Sequence, residues 1–228
     1  MNGSFEVRLP LEEAYRRRVL FAIELLDAVT LSRVSQGVKV DAEGLFGKPI
    51  VNASGSFVWL REDIQNLRKV SIDPGTLPYE PTELEPAQIK FPPDITTVEL
   101  QPRADYSFTP GITGLRGTLI EEQVTPPEPQ VPVGNAAVRL QWLDEDNNWQ
   151  FAPTTSHTDR KRGDFVSILR LGPAEIPHLD KGAVTVRLRA SRNGGTERRS
   201  DDLKLPQGRV TNPSTLNPLT FAWDELQP

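Results

Sequence analysis

Val131-Pro132-Val133-Gly134-Asn135-Ala136-Ala137-Val138-Arg139-Leu140-Gln141-Trp142 is followed by a polar turn and then by Thr158-Asp159-Arg160-Lys161-Arg162-Gly163-Asp164-Phe165-Val166-Ser167-Ile168-Leu169-Arg170-Leu171. Two apolar-alternating runs flank a turn-rich middle, which is the mark of paired β-strands with one buried face. T-D-x-x-x-G-D-F announces the second strand. Gly163 supplies the turn and Asp164 precedes the strand. The tripeptide Arg162-Gly163-Asp164 is explained by that geometry and needs no integrin-like role.

Similar short strands spread outward from this pair. Ala183 to Ala190 alternates, with Val184, Val186 and Leu188 inward and Thr185, Arg187 and Arg189 outward. Asn193-Gly194-Gly195 reads as a hairpin turn. Residues 198–205 and 219–223 complete the set, and 112–120 opens it with Gly114 and Gly117 inside. Upstream, strands are expected over 37–42, 49–52, 56–60, 69–73 and 96–100. The Pro- and Glu-rich residues 77–93 read as an extended surface excursion, and Tyr106-Ser107-Phe108 as an apolar coda. Residues 18–26 are assigned to a strand for their β-branched and aromatic content. A helix over 11–26 is the competing reading, because Leu11, Tyr15, Val19, Ile23 and Leu26 also have helical spacing.

Short strands about 8–12 residues apart with turn residues between them signal a β-sandwich. Thr109-Pro110-Gly111 marks a junction, so the sequence predicts two tandem Ig-like or transthyretin-like β-sandwiches, residues 1–109 and 110–228. A weak internal repeat supports this division. Residues 34–40 precede Ser54-Gly55-Ser56-Phe57-Val58-Trp59-Leu60 in the first half. Residues 131–140 precede Arg162-Gly163-Asp164-Phe165 in the second. Convergence of two short β patterns is the alternative.

Composition bounds the function classes. Pro occurs 21 times in 228 residues, which favours many short elements, since Pro is kept out of helix interiors and central strands. There is no cysteine, so disulfides, thiolate metal sites and a catalytic thiol are ruled out. The net charge is −5. Residues 1–109 hold 12 Lys+Arg against 16 Asp+Glu, and residues 110–228 hold 14 against 15. Neither half has the basic excess of a nucleic-acid binder. The longest apolar run, 19–23, is too short to span a membrane. The first 18 residues lack the apolar stretch of a Sec leader. The expectation is a soluble chain made in the cytoplasm, without membrane insertion.

Motifs for chemistry are thin. His157 and His178 are the only histidines, with no H-x-x-E or H-E-x-x-H, and read as surface loop residues. Asp144-Glu145-Asp146-Asn147-Asn148 begins like a calcium loop. Trp149 and Thr155 stand where an EF-hand needs Gly and Glu, so a hairpin tip is preferred over a non-EF calcium site. Gly44 to Pro49 is not a phosphate loop, and no G-x-S-x-G elbow occurs. The arginines 187, 189, 192, 198 and 199 fit a solvated edge, with an acidic partner as the sharper alternative.

G-L-R-G-T-L (114–119), V-G-N-A-A-V-R-L (133–140), T-D…G-D-F (158–165) and L-R-L-G-P (169–173) together resemble the carboxypeptidase regulatory-like, or transthyretin-like, β-sandwich. The match is best over 111–190 and looser over 18–73. Asn135 and the longer turn Arg160-Lys161-Arg162 depart from the family pattern. The resemblance implies a small sandwich with no activity of its own. The style of paired domains is similar to accessory components of phage-tail-like and contractile injection particles.

The resulting expectation is a non-catalytic structural or adaptor protein that binds protein subunits of a larger assembly, without cofactor or metal. Arg160, Lys161 and Arg162 are the first candidates for partner binding, with Trp142 and Trp149 as aromatic anchors. A carbohydrate- or surface-binding module is the alternative, and it requires Trp142 and Trp149 to be exposed platforms.

Overall fold

The computed structural model describes residues 19–60, 66–123, 129–211 and 219–228. They form an all-β structure of the sandwich type. The first half contains β1 (Val19–Asp27), β2 (Lys39–Glu43), β3 (Ile50–Val51), β4 (Phe57–Leu60), β5 (Lys69–Asp73), β6 (Thr82–Leu84) and β7 (Thr96–Leu100). One sheet runs β3-β4-β1-β7 and the other β2-β5-β6. Their facing side chains share one core, with Phe21, Ile23 and Leu25 from β1, Trp59 from β4, and Val70 and Ile72 from β5. Phe21 stacks on Trp59 with ring centroids 4.6 Å apart. Residues 19–27 are therefore a strand. The competing helix extends into residues 11–18, which lie outside the described residues.

The second half contains β8 (Thr113–Ile120), β9 (Ala137–Leu143), β10 (Trp149–Phe151), β11 (Ser156–His157), β12 (Asp164–Leu169), β13 (Leu179–Asp180), β14 (Ala183–Ser191), β15 (Arg198–Arg199), β16 (Leu203–Pro206), β17 (Val210–Thr211) and β18 (Thr220–Ala222). β9 and β14 form the spine of one sheet, and β12, β8, β17 and β18 form the other. Leu115, Leu119, Val138, Leu140, Trp142, Phe165, Val186 and Leu188 fill the space between them.

The two halves share a connectivity. The opening strand of each, β1 or β8, pairs antiparallel with the G-x-F strand, β4 or β12. It also pairs parallel with a closing strand, β7 in the first half and β17 and β18 in the second. The Gly-led strand, β2 or β9, pairs antiparallel with β5 or β14, which in turn pairs with β6 or β16. The halves differ at the margins. β3 extends β4 in the first, whereas β10 and β11 extend β9 in the second.

Two expectations are corrected. Residues 77–93 are not a surface excursion: β6 pairs with β5, and Tyr79, Leu84 and Ile89 are buried in the first core. Trp142 is not an exposed platform or anchor. Only 2% of it is accessible, because it continues the inward register of Val138 and Leu140 on β9.

β12 joins the halves. A strand of a sandwich ordinarily buries one face, yet every residue from Phe165 to Leu169 is buried. Phe165 and Leu169 belong to the second core, while Ile168 packs into the first. Polar contacts surround this insertion. Arg170 donates to the carbonyl of Ala28 and to Glu99, each at 3.0 Å. Arg116 lies over the Phe108 ring and donates to the carbonyl of Tyr106. The segment expected as a coda, 106–108, is thus part of the seam.

The G-D-F turn shows why Gly is required. Gly163 has φ +71°, and a Cβ there would lie 2.3 Å from the carbonyl oxygen of Leu119. Gly163→Ala is expected to cost about 1–3 kcal/mol, since a non-glycine residue in this backbone region is strained and the neighbour is rigid backbone. Urea denaturation measures it, and an unchanged midpoint would contradict the turn geometry.

Candidate functional site

The T-D-x-x-x-G-D-F stretch builds one wall of a cleft at the seam. Thr158 is buried; its hydroxyl donates to the carbonyl of Val133 at 2.6 Å and accepts from the Ala136 N–H at 2.9 Å. Asp159 closes the turn on itself. Its Oδ1 accepts the N–H groups of Lys161 and Arg162 at 3.0 and 2.8 Å, and its carbonyl accepts that of Gly163 at 2.9 Å. Such an Asx-type closure satisfies the backbone locally and drives the intervening side chains outward. Arg162 folds back on Asp164 at 3.1 Å. The Arg160 and Lys161 side chains make no hydrogen bond or ion pair among the described residues.

The opposite wall comes from the first half. Glu80 N–H donates to the carbonyl of Gln101, and Arg103 N–H to that of Pro78, so residues 78–80 and 101–103 run side by side. Glu80 then reaches across the seam. It accepts the backbone N–H of His157 at 2.9 Å and meets the ring Nδ1 at 3.2 Å. Arg103 forks onto Asp105 at 3.1 and 2.8 Å and holds its carboxyl below the ordinary range. Together these residues line a cleft of about 560 Å³ that includes Asn135, Asp159, Arg160 and Asp164.

His157 is therefore a seam residue and not a loop histidine. Its hydrogen bond to Glu80 raises its pKa above the ordinary value, against the opposing effect of burial. A raised folded-state pKa means that this contact contributes most below the unfolded value of about 6.5, and that the contribution is lost as pH climbs through the folded value. Glu80→Gln is expected to return the His157 titration, followed by NMR, toward 6.5. A titration that does not move would show that another group sets it.

The remaining candidates are internally paired. The face of Trp149 is covered by the Arg187 guanidinium at 3.8 Å, and Phe151 by Arg139 at the same distance. Arg187 pairs with Asp202, Arg189 and Arg139 share Glu197, and Arg192 pairs with Glu121. Burial opposes ionisation of Glu197, yet its two arginines hold the carboxyl below its ordinary value. Arg187, Arg189 and Arg192 are thus tied down by this chain's own carboxylates, whereas Arg198 donates to the carbonyl of Trp223 at 2.7 Å and Arg199 pairs through its backbone with Gln227. Trp142 is buried and a face of Trp149 is covered by Arg187, so neither is the open platform that the sugar-binding reading requires.

Asp144 closes the β9–β10 turn by accepting from Asn148 N–H at 2.7 Å and Gln150 at 2.9 Å. Among the described residues no group of three or more His, Cys, Asp or Glu side chains is arranged to hold a metal, and no helix is long and apolar enough to cross a membrane.

Of the residues singled out in the sequence, Arg160, Lys161 and Arg162 lie together on the seam turn, Trp149 lies on the outer sheet face, and Trp142 lies in the core. Glu80, Arg103 and Asp105 were not foreseen. They stand 54–84 residues from the turn in sequence, and only the tertiary fold brings them to it. No protein-family model, no curated protein and no solved structure matches the chain.

Proposed function

We propose that the protein is a non-catalytic adaptor that docks to other protein subunits of a larger assembly, of the phage-tail-like or contractile injection kind. Its tandem modules, residues 1–109 and 110–228, act as one block through the shared strand β12. The resemblance of residues 111–190 to transthyretin-like sandwiches and the repeated connectivity of the halves support this reading. One observation carries it: Arg160 and Lys161 project, without a hydrogen-bond or ion-pair partner among the described residues, from a turn whose backbone is already satisfied by Asp159. Unpaired cations on a pre-ordered turn meet an acidic partner surface at little entropic cost.

The test is a comparison of captured proteins between the intact chain and Arg160→Ala/Lys161→Ala, by cross-linking and mass spectrometry. A specific subunit cross-linked near residue 160 in the intact chain and lost from the variant, at unchanged stability, supports the reading. An identical set from both chains overturns the role of this turn.

A further inference from the structure

We propose that copies of this chain associate head to tail, with the acidic β9–β10 turn of one copy seated on the basic β11–β12 turn of the next. The inference shares the basic turn with the adaptor reading but names a different occupant, a second copy. It starts from the strand that links the two turns. β9 leaves the basic turn at one end, where Asn135 N–H donates to the carbonyl of Thr158 and Gly134 sits against the Arg160 backbone. It enters the acidic turn Asp144–Asn148 at the other. Seven extended residues at about 3.3 Å each keep the turns roughly 20 Å apart, so they cannot meet within one molecule.

The two turns complement each other in charge. Each is closed by an aspartate that accepts its own backbone N–H groups, Asp159 in one and Asp144 in the other. The side chains left over have opposite sign. Arg160 and Lys161 have no side-chain partner among the described residues at the basic end. Glu145 and Asp146 have no side-chain partner among the described residues at the acidic end. Exposed apolar side chains flank both. Glu145 N–H donates to the carbonyl of Ile176, which is 52% exposed, and Leu179 nearby is 46% exposed. At the basic end Val131, 55% exposed, adjoins Pro132, which lies against Gly163. A contact that combines opposite charges with a small apolar patch has both the steering and the desolvated centre that association needs.

The geometry fixes the kind of assembly. The two turns are different surfaces at opposite ends of β9, so the contact is heterologous. Each bound pair leaves one free end of each type, so growth continues as an open chain unless the rotation between copies closes it into a ring.

Sedimentation velocity on the full chain tests this. The expected result is a sedimentation coefficient that rises with concentration past that of a dimer in low salt and returns to the monomer value near 1 M salt, where the Debye length shrinks to about 3 Å. Arg160→Ala/Lys161→Ala and Glu145→Ala/Asp146→Ala should each be monomeric alone. Mixed together they should form a one-to-one pair and stop there, because each retains one working end. All four residues are on turns, and unchanged urea midpoints confirm that the variants are folded. A wild-type chain that is monomeric throughout, self-association that survives either double substitution, or a mixture that fails to pair overturns the proposal. Loss of subunit capture by Arg160→Ala/Lys161→Ala, with a monomeric wild type, overturns self-association and leaves the adaptor reading standing.

Discussion

Asp27→Ala is expected to lower the unfolding free energy by about 3–5 kcal/mol, as three of its four donors are buried and cost about 1–3 kcal/mol each when orphaned, the part-buried Thr30 N–H less, and relief from burying a carboxylate offsets part of the loss. Asp27 ends β1 and is buried. Its Oδ1 accepts the Val29 N–H at 2.7 Å, and its Oδ2 accepts the hydroxyls of Tyr79 at 3.1 Å and Tyr106 at 2.5 Å. One carboxylate therefore ties the end of β1 to residues 52 and 79 positions away. Tyr106→Phe should cost about 1.5–3 kcal/mol, the range for a hydrogen bond to a charged group. Combined with Asp27→Ala, its added effect should shrink well below that, since the partner is already gone. Strictly additive losses in urea denaturation would contradict the shared node. The same node has an alkaline signature. Burial first, then the charge and hydrogen bond of Asp27, push Tyr79 up to about 12 and Tyr106 up as well. Above the unfolded value of about 10 the folded state holds more protons than the unfolded chain, so stability falls as pH rises from there.

Ile168→Asp is expected to separate the halves. Ile168→Ala alone should cost about 2–5 kcal/mol through the cavity it leaves in the first core. The aspartate adds an unpaired buried charge, which the structure relieves by opening the seam. The intact chain should unfold in one transition and the Asp variant in two, with a newly accessible protease site near residues 109–111. A single transition at the wild-type midpoint would show that Ile168 does not join the cores. Arg170 and Arg116 do not replace it, because partly exposed ionic and polar contacts hold far less than a buried side chain.

Much of the architecture was legible because the strands alternate. β5, β7 and β14 stand where the apolar period places them, whereas β12 was legible as a strand but not as one buried on both faces from Phe165 to Leu169. Trp142 also stands where the period places it, two residues on from Leu140; assigning it to the surface ran against its own pattern. Residues 77–93 were misread because prolines and glutamates outnumber the apolar residues there. Three side chains, Tyr79, Leu84 and Ile89, anchor the segment, and their five-residue spacing matches neither the strand period of two nor the helical period of about 3.6. The basic turn was legible as an insert in T-D-x-x-x-G-D-F. Its cleft was not, since a charge on one half carries no mark of the charge that faces it from the other.

The place of β12 between two cores also bears on biosynthesis. A ribosome releases the first 109 residues long before residue 168. Until then the seat of Ile168 on the N-terminal half is open to water. That half therefore waits, incompletely packed, for a strand made later, and a fragment ending at 109 is expected to be recovered in inclusion bodies where the full chain is recovered in the supernatant.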